Sequence, residues 1–206
     1  MSTADRWLLP DGIEEVLPPQ ARGVEQLRRH LLDDFDRWGY DFVIPPALEY
    51  LDSLLTGTAR DLDLQTFKVT DQLSGRLMGL SADTTPQTAR IDAHSWAQEG
   101  VSRLCYCRTV FHAKAASILA GRTPTQIGAE LYGEAGSSAD IEIISLMLNA
   151  LQQAGLQNLH LDLGHVGIFK AFSEKAQLSS EAEEELFALL KVKCATDLDA
   201  WAEQYL

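Results

Sequence analysis

Three things are scarce in this 206-residue chain, and each scarcity removes a class of function. The first is positive charge. Seventeen Lys and Arg stand against thirty Asp and Glu, giving a formal net charge of −13, and the basic residues are scattered rather than gathered into a patch. A surface this acidic repels phosphate backbones, so no nucleic-acid partner is expected. The second is cysteine, present only as Cys105, Cys107 and Cys194. Cys105 and Cys107 lie two apart, on one face of a strand and too close for a metal knuckle. They read as reduced packing residues. The third is the long apolar run: none spans a bilayer, and no basic-then-apolar leader opens the chain, so the expectation is a soluble, cytoplasmic protein with no membrane partner.

Several chemical signatures are missing too. Neither common phosphate-cradling glycine pattern occurs, and no serine sits in a glycine-flanked strand-to-helix elbow. No pair of His, Cys or carboxylates has ligand spacing on one face, so no metal is expected, and no cofactor. His30, His94, His160 and His165 read as structural side chains.

What is present is an ordinary globular composition, 46% apolar and 23% charged, long enough for one domain with a real core. After an irregular lead with a turn at Pro10-Asp11-Gly12, Val24, Leu27, Leu31, Phe35 and Trp38 recur at helical spacing. Arg28, Arg29, Asp33, Asp34 and Arg37 are placed outward. Gly39 stands where a glycine ends a helix, followed by a strand over Tyr40–Ile44 that Pro45-Pro46 stops. Thr66–Asp71 and Leu77–Thr85 read as a hairpin around Ser74-Gly75. In its second strand Leu77, Gly79, Ser81, Asp83 and Thr85 share a face. Thr85-Pro86 then signals a helix start, with Thr85 as the cap. Arg103–Lys114 alternates as a strand. A helix is expected over Ala139–Ala154, a strand over Leu159–Leu163, a helix opened by a capping box at Ser180-Glu181-Ala182-Glu183, and a last helix from Asp197 to Tyr205. The class is α+β, a mostly antiparallel sheet flanked by helices.

The stretch T-Q-I-G-A-E-L-Y-G, Thr125 to Gly133, alternates with period two. Ile127, Ala129 and Leu131 form a core face; Gln126, Gly128, Glu130 and Tyr132 form a polar one. That polar face is either a solvated sheet surface or the floor of a site, with Gly128 leaving room on the sheet. If the strand ending in Asp83 and Thr85 shares this sheet, two carboxylates, an amide and a hydroxyl converge. Paired anions of this kind suit a ligand ammonium, such as the α-amino group of an amino acid.

The helix, Gly39, strand and Pro46 unit resembles motif 1 of class II aminoacyl-tRNA synthetases, and Arg103–Gly133 resembles their motif 2. F-K-V-T-D (Phe67–Asp71), D-T-T-P-Q-T-A-R-I (Asp83–Ile91), Q-I-G-A-E-L-Y-G and L-D-L-G-H-V-G-I-F (Leu161–Phe169) are similar to the histidyl branch. They are more similar still to that branch's non-catalytic paralogues, the regulatory subunits of ATP phosphoribosyltransferase. The likeness runs from about Trp7 to Leu190. It implies a class II synthetase-like core over 1–206 as a single domain, with motifs 1 and 2 present and the motif 3 region and the ring-reading half of the pocket expected beyond Leu206. It also implies that Asp83, Thr85, Gln126 and Glu130 hold the amino group of histidine, Asp83 standing where the synthetases usually have glutamate. A chain with only that half is expected to bind histidine weakly.

The chain departs from the synthetases where they grip ATP. Their Phe-Arg-x-Glu is here Phe111-His112-Ala113-Lys114, and their Arg-Pro-Glu is Ser81-Ala82-Asp83. An imidazole does not replace a bidentate guanidinium on a phosphate. The resemblance therefore implies a non-enzymatic subunit, with no catalytic residue. Its partners would be the short-form catalytic subunit, histidine as effector, and a second copy of itself through motif 1, in the first step of histidine biosynthesis. The alternatives are a histidyl-tRNA synthetase-like enzyme activating an amino acid with ATP, or a dimeric scaffold without a ligand.

Overall fold

The computed structural model describes residues 7–56, 60–117 and 120–205, which fall into two compact units, 1–158 and 159–206.

The first unit begins with helix α1, Gln20–Arg37. Its inward stripe is narrower than the helical spacing of its apolar residues suggests. Leu31 and Phe35 are buried, while Val24, Leu27 and Trp38 remain exposed. Asp34, expected outward, is buried instead, because Asn149 donates to its carboxylate and Arg37 lies 3.7 Å away. A buried carboxylate needs such partners. Gly39 takes φ +84° and ends the helix as expected, with its N–H on the Asp36 carbonyl.

Two three-stranded sheets follow. One has the order β1-β5-β6, from Asp41–Phe42, Ser102–Thr109 and Thr125–Tyr132. Its β5–β6 ladder is antiparallel and β1 lies parallel on the β5 edge. The other has the order β2-β4-β3, from Leu48–Tyr50, Leu77–Leu80 and Phe67–Thr70, all antiparallel. The β3–β4 turn is held by the Asp71 carboxylate, which accepts from Leu73 N, Ser74 N and the Ser74 hydroxyl. Strand β4 stops at Leu80, short of the expected Thr85. Likewise β5 stops at Thr109, short of Lys114, although Val110 N still reaches the Pro124 carbonyl and His112 N the Arg122 carbonyl, and His112 forms an isolated bridge to Thr66. The premise that β4 and β6 share a sheet does not hold. The two sheets are instead stitched together by Phe111 N on the Ser81 carbonyl.

Short helices α2 (Leu51–Leu54) and α3 (Arg60–Gln65) link β2 to β3. Helix α4 covers Thr85–Arg90 and runs into a π-helical turn, Ile91–Ser95. Its cap position falls on Thr84, not Thr85. Helix α5, Ser137–Gln153, packs Leu146 against Phe35, Tyr40 and Cys105, with Ile127 and Ala129 alongside. Ile127 and Ala129 of the expected core face of β6 thus lie against this core, and burial pushes the Cys105 thiol up to about 12. The phenol of Tyr40 donates to Glu142, which also takes a two-point grip from Arg103.

The second unit is helical. Residues 159–163, expected as a strand, form none: a strand needs a ladder partner, and among the described residues they have none, with Leu163 74% exposed. Helix α6 (Val166–Lys175) starts where His165 Nδ1 accepts from Gly167 N, a capping role for that histidine. Helix α7 (Ser180–Val192) is capped one residue earlier than expected, by Ser179, whose hydroxyl accepts from Ala182 N. Helix α8 covers Ala195–Tyr205. Phe169 and Phe187 meet at 5.3 Å between ring centres, and Trp201 is buried.

Candidate functional site

Alternation places Gln126, Gly128 and Glu130 on one face of β6, and the ladder register decides what stands beside them. Arg108 pairs with Gln126, Tyr106 with Gly128 and Leu104 with Glu130. Residues opposite one another in an antiparallel pair share a face, so the polar floor is built from both strands. Past the end of β4, the segment Ser81–Thr85 crosses that floor and enters α4.

The four residues singled out from the sequence come together in one network, by a route the sequence does not display. Gln126 Oε1 accepts from Thr84 N at 3.0 Å and from the Thr84 hydroxyl at 2.8 Å, which fixes the amide's orientation. Its Nε2 must then face Asp83, and donates to Asp83 Oδ1 at 2.7 Å. Thr85 N donates to the same oxygen at 3.2 Å. At the other end Tyr106 donates to Glu130 Oε1 at 3.2 Å, and the Thr85 hydroxyl lies 3.3 Å from the Tyr106 oxygen. The Thr85 hydroxyl thus lies beside both the Tyr106 phenol and the Glu130 carboxyl.

Burial pushes the Glu130 carboxyl above its usual range, and the negative charge of Asp83 adds to this; the Thr85 and Tyr106 hydroxyls pull in the other direction. Burial likewise raises the phenols of Tyr106 and Tyr132. Asp83 Oδ2 makes no hydrogen bond among the described residues, and no cation is ion-paired to Asp83 or Glu130 there. The result is a half-buried, acceptor-rich floor. Its chemistry favours a ligand carrying several N–H donors and positive charge, and disfavours a phosphate or carboxylate. A cleft of about 520 Å³ opens at Thr85, lined also by Ser53, Thr56, Pro86, Ala89, Arg90, Ala93 and His94.

Two residues were missing from the sequence reading. Thr84 is fully buried and orients Gln126. Tyr106 links Glu130 to Thr85, and its ring fills the room that Gly128 leaves on the sheet: a Cβ on Gly128 would lie 2.5 Å from the phenolic oxygen. The alternation of β5 could have exposed Tyr106, had the register been known.

Behind the floor lies a second polar cluster. Gln87 is 1% exposed and accepts from the Ser81 hydroxyl at 2.7 Å and from Arg108 Nη1 at 3.1 Å. Its Nε2 donates to the Pro46 carbonyl and to Glu49 Oε1, both at 2.8 Å, and Glu49 also pairs with Arg90 at 2.6 Å. Arg108 Nη1 reaches the carbonyls of Pro45 and Pro46 as well. This cluster ties β2, α4 and β5 together beneath Asp83.

His112 lies at the opposite margin. Its Nε2 is 3.0 Å from the Ala82 carbonyl, and Arg122 folds back onto the His112 carbonyl and over the Phe67 ring. The imidazole is thus engaged with backbone, while Lys114 is exposed. Among the described residues no three His, Cys, Asp or Glu side chains are grouped to hold a metal, and no helix is long and apolar enough to cross a membrane.

Comparison with known proteins adds lineage. The family model described as histidyl-tRNA synthetase matches residues 12–206. An ATP phosphoribosyltransferase regulatory subunit from Chromohalobacter salexigens is 62% identical over 200 residues, 97% of this chain and 51% of that protein. One from Cellvibrio japonicus is 58% identical over 203 residues, 98% of this chain and 51% of that protein. The chain thus spans about half the length of these relatives. Among solved structures, an ATP phosphoribosyltransferase regulatory subunit/histidyl-tRNA synthetase from Bacillus halodurans superposes with a TM-score of 0.87 at 29% identity, covering 99% of this chain and 53% of that one. A histidyl-tRNA synthetase from Nostoc sp. PCC 7120 shares the fold, with a TM-score of 0.77 at 15% identity over 97% of this chain and 47% of that one.

Proposed function

The chain belongs to the histidyl-tRNA synthetase family, and on that premise we propose that it is part of a regulatory subunit required for ATP phosphoribosyltransferase activity in histidine biosynthesis, itself without aminoacylation activity. Asp83, Thr85, Gln126 and Glu130 hold the α-amino group of histidine, the feedback effector, in the cytoplasm. The observation that carries this reading is a contrast within one site. The carboxylates of Asp83 and Glu130, one held by Gln126 and the other by Tyr106, suit an ammonium, while the position of the synthetases' phosphate-gripping arginine is His112, turned onto the Ala82 carbonyl. A pocket that keeps the amino-group contacts and lacks the phosphate clamp suits sensing better than activation.

The proposed partners are the short catalytic subunit and a second copy of this chain, paired through α1 and β1. The exposed Val24, Leu27, Trp38, Phe42 and Ile44 and the free edge of β1 support that pairing. The test is co-purification with the short catalytic subunit, followed by measurement of phosphoribosyl transfer with and without histidine. Restored, histidine-sensitive transfer is expected, together with no histidine-dependent ATP–pyrophosphate exchange. Robust exchange would overturn the reading.

A further inference from the structure

Tyr106 is 3% exposed, yet its one polar atom sits at the centre of the site. The ring end covers Gly128, where any side chain would collide with it: a Cβ there would be 2.5 Å from the phenolic oxygen and 2.6 Å from the carbon that bears it. The missing side chain of Gly128 therefore serves Tyr106, and the phenol is delivered to a single place. There it donates to Glu130 and lies 3.3 Å from the Thr85 hydroxyl. Neither contact is needed to bury the ring, which a phenylalanine would do equally well.

We infer that Tyr106, seated on Gly128, is the positioning residue of this site: its hydroxyl aims Glu130 and holds Thr85 beside it, so that an incoming ammonium meets a preset pair of acceptors. The inference rests on the amino-group reading proposed above. Its physical logic is that Glu130 has little else in its favour. The titratable groups around it are Asp83 from the segment before α4, Tyr106 from β5, and Tyr132 from its own strand, with Asp92 of the π-helical turn acting on Tyr132. All are acidic. Burial and Asp83 both push Glu130 toward its protonated form, and only the hydroxyls of Tyr106 and Thr85 oppose this. A protonated Glu130 would present one acceptor fewer and no charge to an ammonium.

The test is the histidine inhibition curve of the assembled phosphoribosyltransferase, recorded from acid to neutral pH, for the unaltered protein, Tyr106→Phe and Glu130→Gln. Each curve is scaled to its own uninhibited rate. Tyr106→Phe keeps the ring on Gly128 and deletes the hydrogen bond to the Glu130 carboxylate together with the contact to the Thr85 hydroxyl. It should raise the half-inhibiting histidine concentration by about tenfold or more and move the acid limb of the response to higher pH. Histidine's own ionisation is common to all three curves and cancels in the comparison. Substitution of 3-fluorotyrosine at 106, a stronger donor, should shift both quantities in the opposite direction, and carries the test even where Tyr106→Phe does not fold. If Glu130→Gln abolishes inhibition while both Tyr106 changes leave midpoint and pH profile in place, Tyr106 only packs, and this inference falls alone. If Glu130→Gln also leaves inhibition untouched, the amino-group reading falls with it.

Discussion

Replacing Gln87 with leucine tests whether the buried polar cluster is what holds the site's frame. The change conserves size, so its cost is almost wholly electrical. Four hydrogen bonds disappear. Those to Ser81 and the Pro46 carbonyl are neutral, worth about 1 kcal/mol each, and those to Arg108 and Glu49 are charge-assisted, worth about 1.5–3 kcal/mol each. Two effects reduce the total. Each partner keeps another contact: Ser81 with the Asp83 carbonyl, Arg108 with Pro45 and Pro46, Glu49 with Arg90. Leucine also gains from burial in a site where Gln87 is 1% exposed, by about 1.5–3 kcal/mol. A net loss of about 3 kcal/mol is expected. The assay is urea unfolding, with hydrogen exchange of the β4 and β5 amides to localise the loss to the first unit. Gln87→Glu should be at least as damaging. It removes the donor to Glu49 and Pro46 and sets a carboxylate 2.8 Å from the Glu49 oxygen. A loss under about 1 kcal/mol for Gln87→Leu would refute the reasoning and make the cluster incidental.

Glu130→Gln should raise the thermal midpoint of the ligand-free protein at neutral pH. A carboxyl whose folded pKa is raised favours the protonated fold, so its ionisation destabilises as pH rises through the range between the unfolded and folded values, and a neutral amide escapes that cost. The gain should vanish in acid, where Glu130 is protonated in both states; a midpoint lowered at neutral pH would contradict the burial argument. Gly128→Ala should cost about 1–3 kcal/mol by unseating Tyr106, and a loss under about 0.5 kcal/mol in urea unfolding would mean that the ring has room to slide. Leu146→Ala, at the centre of the first core, should cost about 2–5 kcal/mol by the same assay. Cys105, 1% exposed and with its thiol pushed up to about 12, should resist thiol reagents at neutral pH until the protein unfolds. Rapid native-state labelling at that position would show the sheet to be far more open than described.

Much of this was legible in advance because it is local. The period-two pattern of Thr125–Tyr132 separates Ile127 and Ala129 from Gln126 and Glu130, and the structure keeps that division. Gly39 had to end α1, since only a residue free to take φ +84° reverses the chain there at low cost. The local pattern misleads where the presence or absence of a distant partner decides the outcome. Asp34 reads as a surface charge until Asn149 of α5 arrives to meet it. Residues 159–163 read as a strand but have no neighbouring ladder among the described residues.

The site divides along the same line. Which residues are candidates is legible in side-chain chemistry: two carboxylates, an amide and a hydroxyl suit a ligand ammonium if they converge. How they meet is not, because β4 and β6 belong to different sheets and Asp83 is brought to Gln126 by a crossing segment. Nor could a single strand disclose that Tyr106 fills the gap over Gly128, since that follows from the register between β5 and β6. Alternation along a strand is a property of one chain segment. Register, burial and the pKa values they shift belong to pairs of segments, and only the folded molecule decides them.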